Sequence, residues 1–178
     1  VKDDHLVVDE LSLEHGRNRV DIAVFDNCIH GYEIKSSTDN LLRLQNQLSQ
    51  YSKSLQKVTF VVAENQFKDV MISTPEWCVL ILATKGPRGG VSFRSIRRAK
   101  LNPNVDFISL AHILWKSEAI DLLYQYGITE RLEYKTRKEL YKQLNQVMTV
   151  QQLALEIKTK LLKRGNWRVD EQPLSYDG

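Results

Sequence analysis

RVDIAVF (residues 19–25) and CIHGYEIK (residues 28–35), joined by Asp26 and Asn27, decide how this chain is built. In the first run Val20, Ile22 and Val24 share one face of a strand, while Asp21, Ala23 and Phe25 share the other. Asp26-Asn27 reads as a turn, and the second run returns as an antiparallel partner, so the two segments form a hairpin. On the returning strand Glu33 and Lys35 project to one face, and Tyr32 and Ile34 to the other. A two-residue step sets that carboxylate and ammonium about 7 Å apart along the strand, with Asp21 beside them on its neighbour.

Two carboxylates and a lysine in this arrangement suit a hard divalent cation at a phosphodiester. Mg²⁺ takes oxygen ligands, keeps several waters, and is commonly held by one or two carboxylates plus substrate phosphates. Asp21 and Glu33 are the candidate ligands, with the main-chain carbonyl of Ile34 beside them. Lys35 has two open roles: stabilising charge that develops on the phosphate, or orienting and deprotonating the attacking water. The competing reading is an edge strand with ordinary exposed charges.

Downstream, Ser36-Ser37-Thr38-Asp39 is a polar cap region. Leu41, Leu42, Leu44, Leu48, Tyr51 and Leu55 then recur at helical spacing. Gln47 and Tyr51, four apart, lie on one face of that helix. A glutamine there can support a metal-bound water or phosphate oxygen, and a tyrosine can brace it or touch a nucleic-acid backbone.

Asp21, Glu33, Lys35, Gln47 and Tyr51 together resemble the PD-(D/E)xK restriction-endonuclease-like superfamily, and its RecB-like and Cas4-like branch with the Q-x-x-x-Y helix. The wording RVDIAVF…GYEIKSSTDNLLRL is also similar to a family of small bacterial proteins placed in that superfamily. The likeness covers roughly residues 6–82; Val20 stands where the pattern has proline. It implies an α/β fold with a mixed sheet flanked by helices. It also implies Mg²⁺-dependent hydrolysis of a phosphodiester, with Mn²⁺ as the alternative ion and DNA favoured over RNA. Asp21 and Glu33 match the two acids and Lys35 the lysine. Many members place a further glutamate before the hairpin, and Glu10, in the strand-like HLVVDELSL, is the better candidate than Glu14.

The remaining chain frames this expectation. With 178 residues and 42% hydrophobic content it can bury a proper core. KVTFVVA (57–63) and CVLILAT (78–84) read as buried strands, 66–73 as a short helix before Pro75, and 91–96 as another strand. From Ile108 the pattern turns helical in three stretches, 109–127, 136–150 and 150–165, with Gly127 and Gly165 as stops. The expected organisation is a nuclease-like core over 1–107, a basic helical extension over 108–168 and a polar tail over 169–178. Between Arg131 and Arg168 ten Lys or Arg face three Asp or Glu, whereas the whole chain nets only +3. That asymmetry suits a nucleic-acid-binding surface. Arg97, Arg98, Lys135, Arg137, Lys138, Lys163 and Arg164 are the expected backbone contacts, since nothing in their spacing marks a base-reading helix.

No apolar run reaches the roughly 20 residues a membrane-spanning helix requires. Cys28 and Cys78 lack C-x-x-C spacing, so neither zinc nor a disulfide framework is implied and a reducing cytoplasm is the expectation. The alternative function is a non-catalytic nucleic-acid-binding or partner-binding module. A third is a homo-oligomer or a subunit of a larger repair or defence assembly. In that case Trp115, Leu122, Leu123 and Tyr124 become interface candidates, with core burial the competing explanation.

Overall fold

The computed structural model describes residues 5–164. Its strands are β1 (Leu6–Leu13), β2 (Asn18–Phe25), β3 (Ile29–Lys35), β4 (Lys57–Ala63), β5 (Val79–Lys85) and β6 (Val91–Arg97). Its helices are α1 (Leu44–Ser54), α2 (Phe67–Ser73), α3 (Phe107–Ala111), α4 (Lys116–Gln125), α5 (Arg137–Val147) and α6 (Val150–Lys163). The strands form one sheet in sequence order, β1 to β6. Hairpins make β1–β2–β3 and β5–β6 antiparallel, whereas β3–β4–β5 are parallel because α1 and α2 carry the chain back each time.

Alternation decides which face is covered. Ile29, Gly31, Glu33 and Lys35 of β3 are buried, as are Val58, Phe60 and Val62 of β4. Leu44, Leu48, Tyr51 and Leu55, spaced four, three and four apart, form the buried stripe of α1 and its C-terminal cap. The approach is close at Gly31, where an added Cβ would lie 2.6 Å from Leu55 Cδ1 and 3.1 Å from Val20 Cγ2. Leu42, expected on the apolar stripe, sits in a 3₁₀ turn before α1 and is 86% exposed.

The hairpin faces differ from the expected assignment. Glu10 adopts φ 53°, and across it the buried positions of β1 change phase, from Val8 to Leu11 and Leu13. On β2 the buried set is correspondingly Val20, then Ala23 and Phe25, with Ile22 and Val24 only half-buried. A left-handed residue within a strand rotates the following side chains onto the other face, so alternation fails at that point. Asp21 lies at the same place on β2.

The helices from residue 107 onward share the core of the sheet. One continuous cluster of buried side chains runs from Val8 and Phe60 through Leu110, Leu123 and Leu144 to Leu161. Buried polar ties reinforce it. Asn102 Nδ2 donates to the carbonyls of Ser52 and Leu55, and Gln56 accepts from Ile29 N and donates to Gln151. Leu122 and Leu123 are core residues, which accounts for them without a docked partner. The stretch 109–127, expected as one helix, is broken between α3 and α4; Glu118 accepts from Trp115 N and starts α4 afresh. α5 and α6 begin with reciprocal caps, Thr136 with Glu139 and Thr149 with Gln152. Among the described residues no helix is long and apolar enough to cross a membrane. Gly165 and the expected tail, 169–178, lie outside the described residues.

The sheet's other face is half-open around His30, which shares a 2.7 Å hydrogen bond with Thr59 Oγ1 and stacks on Tyr32. Burial, and secondarily Lys57, push its pKa down to about 4. The imidazole is therefore neutral in the folded chain, while the unfolded chain takes up a proton at about 6.5. Stability from this site is fully present above about pH 6.5 and is lost as pH falls toward 4. Unfolding midpoints measured across that window are expected to fall, and to fall less in His30→Gln; an identical slope in the variant would refute the assignment.

Candidate functional site

The covered face of β3 ends in a buried polar cluster. Glu33 is 3% exposed and Lys35 7%. Lys35 Nζ donates to Glu33 Oε1 at 2.7 Å and to Gln47 Oε1 at 2.9 Å; Gln47 Nε2 donates to the same Glu33 oxygen at 2.8 Å. This amide orientation is the consistent one, because the reverse would face an NH₂ toward an ammonium. Tyr51 Oη lies 2.6 Å from Glu33 Oε2 and 2.8 Å from the Arg19 carbonyl, so one phenolic proton serves two acceptors. Burial, and then the Glu33 carboxylate, push the Tyr51 pKa strongly upward, which keeps it a donor. Asp21 stands outside this set and accepts from Ile34 N at 2.7 Å.

The spacing thus brings Glu33, Lys35, Gln47 and Tyr51 together, with Asp21 alongside, but the assembly is a closed hydrogen-bond lock. Both Glu33 oxygens are engaged, Ile34 enters through its N–H, and the Ile34 side chain is 48% exposed. Glu10 turns to solvent and pairs with Arg19 at 2.9 Å. Among the described residues there is no group of three or more His, Cys, Asp or Glu placed to hold a metal ion. As arranged, Asp21 Oδ2 and both Glu33 oxygens are taken up by protein donors.

The expected backbone contacts divide by environment. Tyr51 is fully buried and cannot touch a nucleic acid. The Arg164 guanidinium is 7% exposed, donates to Glu118 from Nε at 2.7 Å and lies over the Trp115 ring, so its charge is spent inside the fold. Arg97 is half-buried and donates to carbonyls of Pro75, Thr74 and Met71, anchoring β6. Lys135 and Arg137 are half-buried, whereas Arg98, Lys138 and Lys163 are exposed.

The sequence marks Arg94, Arg97, Arg98 and Lys100 as a basic cluster, either a backbone-contacting patch or a solvated connection; the structure adds Lys85 and Arg88 to it and brings out a second group. Lys85, Arg88, Arg94 and Lys100 join Arg97 and Arg98 in a stretch, 77–105, that contains six basic and no acidic residues. β6 is exposed from Val91 to Ile96, including Phe93 at 66%. Beyond Ala83, β5 has β6 as its strand neighbour and no longer pairs with β4, so the tip from Thr84 to Ser92 is a two-stranded ribbon. The signal was a charge run without acids, divided in sequence by the turn 86–90. The second group is Arg17, Arg19 and Arg43, which line one cleft with Asn18, Asn46 and Gln47. Only GRNR at 16–19 hinted at it, since Arg43 lies far along the chain.

A family model described as bacteriophage P4 protein cII matches residues 1–167. Protein cII of Enterobacteria phage P4 is 30% identical over 126 residues, covering 71% of this chain and 47% of that protein. The chain thus spans about half the length of the curated relative it matches. No solved structure matches it. These matches overturn the PD-(D/E)xK assignment, the small bacterial family placed within it, and the restriction-endonuclease-like fold name; the mixed α/β architecture itself is observed. The expected phosphodiester hydrolysis falls with them, as does the description of the chain as a deoxyribonuclease. By a match over nearly its whole length, the chain belongs to the bacteriophage P4 protein cII family.

Proposed function

We propose that this chain is a non-catalytic nucleic-acid-binding module with duplex DNA as its favoured ligand. The observation that carries the reading is the β5–β6 edge: a two-stranded tip bearing Lys85 and Arg88, with Arg94 on exposed β6 and Arg98 and Lys100 just past it, in a stretch, 77–105, that holds no acidic residue. Such a surface neutralises backbone phosphates without regard to sequence. Glu76 at 3.7 Å from Lys100 forms a solvent-exposed pair that a phosphate can displace. Lys138 and Lys163, both exposed, are further contacts in this reading.

Shape favours DNA. A two-stranded ribbon fits the B-form major groove, whereas the A-form major groove is too deep and narrow for side chains to enter. Polarisation measurements with labelled duplexes of one sequence, at low salt, are expected to rank DNA above RNA. Equal affinity for both would reduce the reading to general backbone binding. Absence of association with either would overturn it.

A further inference from the structure

We propose that the cleft formed by Arg17, Arg19 and Arg43 is a phosphomonoester site. Its ligand is the terminal phosphate of a nucleic-acid strand or of a free nucleotide. The cleft measures about 410 Å³, within the range of small-ligand sites, and its lining contains three guanidiniums and three amides but no carboxylate. Arg17 and Arg43 are exposed, and their guanidiniums make no hydrogen bond or ion pair with a described residue. Arg19 is held by Glu10 in a pair whose side chains are 59% and 71% exposed, a weak contact that an anion can replace.

The two walls are built independently. One is the β1–β2 connection, where Glu14, His15 and Gly16 take φ of 49°, 54° and 87° in succession. Non-glycine residues in that region are held at a cost, and the sharp turn they make delivers Arg17, Asn18 and Arg19 to one place. The other wall is the start of α1, with Arg43 and Asn46. Gln47 lies at the floor, fixed by Lys35 and Glu33, so the cleft rests on the rigid buried lock.

Charge selects the ligand. An internal phosphodiester carries one negative charge, whereas a terminal phosphate carries nearly two at neutral pH and offers three acceptor oxygens. Three planar forks around one small cleft match the second far better than the first. Strand order separates this site from the β5–β6 edge, because β1–β2 and β6 lie at opposite ends of the sheet. The strand-end form of the inference rests on the nucleic-acid-binding reading, and the free-nucleotide form does not.

The test uses the whole chain, with oligonucleotides bearing a 5′-phosphate, a 3′-phosphate or hydroxyl ends, and adenosine monophosphate and inorganic phosphate in parallel titrations. A phosphorylated end is expected to bind on the order of tenfold tighter than a hydroxyl end, and Arg17→Ala with Arg43→Ala to erase that difference. Thermal unfolding of the double variant, expected to be unchanged, shows that the fold is intact. If adenosine monophosphate binds the wild type and not the variant, the source extends to free nucleotides, even were oligonucleotides not to bind at all. Oligonucleotides that bind regardless of their ends, with no nucleotide binding, would overturn the site while leaving the role of the β5–β6 edge standing. A phosphate preference that persists in the double variant would overturn it equally.

Discussion

Lys35→Met is expected to lower the free energy of unfolding by about 3–5 kcal/mol, because it strands the Glu33 carboxylate in a site where only 3% of that residue is exposed. The pair is not itself a large source of stability, since taking two charges from water offsets most of their attraction. The asymmetry is what makes the single change severe: with the ammonium gone, Gln47 and Tyr51 remain as donors, and neither carries charge. The companion change Glu33→Gln, made together with Lys35→Met, removes the buried charge and should recover much of the loss. Denaturant unfolding of the two singles and the double would settle the matter. A loss below about 1 kcal/mol for Lys35→Met would mean that water reaches the pair and that the lock is not closed.

Neutralising Arg88, Arg94, Arg98 and Lys100 together is the second large effect. Each phosphate neutralised contributes about 0.9 to the slope of log affinity against log salt, or roughly tenfold in affinity at about 50 mM salt. Four alanines should therefore flatten the slope by about 3 to 4 and weaken DNA binding on the order of ten-thousandfold at that salt. All four side chains belong to exposed residues, so unfolding should move by no more than about 0.5 kcal/mol. An unchanged salt slope would place the DNA elsewhere on the chain. Leaving Arg97 in place matters to the design, because its bonds to the carbonyls of Pro75, Thr74 and Met71 hold the strand.

Much of the architecture was legible in periodicity. Residues 57–63 form β4 at the expected bounds, residues 78–84 correspond to β5, and the helices of 136–150 and 150–165 appear as α5 and α6. What failed was local and physical. Alternation cannot reveal a left-handed residue inside a strand, so Glu10 and the faces around Asp21 were misassigned. Helical spacing persists across the α3–α4 break because Leu110, Leu114, Leu122 and Leu123 all remain core residues on both sides of it.

The candidate site taught a different lesson. Glu33, Lys35, Gln47 and Tyr51 do converge, yet the same residue types that would serve a metal also satisfy one another when buried, and spacing cannot distinguish the two. Burial and the saturation of both carboxylate oxygens are three-dimensional facts. The Arg17, Arg19 and Arg43 cleft was hidden because its walls are separated in sequence and joined only by the strained turn at 14–16.

The outer edge of β6 has a consequence for how copies of the chain coexist in solution. An edge strand exposes a row of unsatisfied amide and carbonyl groups, and this one also displays Val91, Phe93 and Ile96, the ingredients of strand-to-strand aggregation. Arg94 within the strand and Arg98 and Lys100 just past it make a second copy repel rather than pair. The cations that would draw a polyanion to this edge are therefore also expected to oppose edge-to-edge pairing without one, and solutions crowded with salt are where that protection is thinnest.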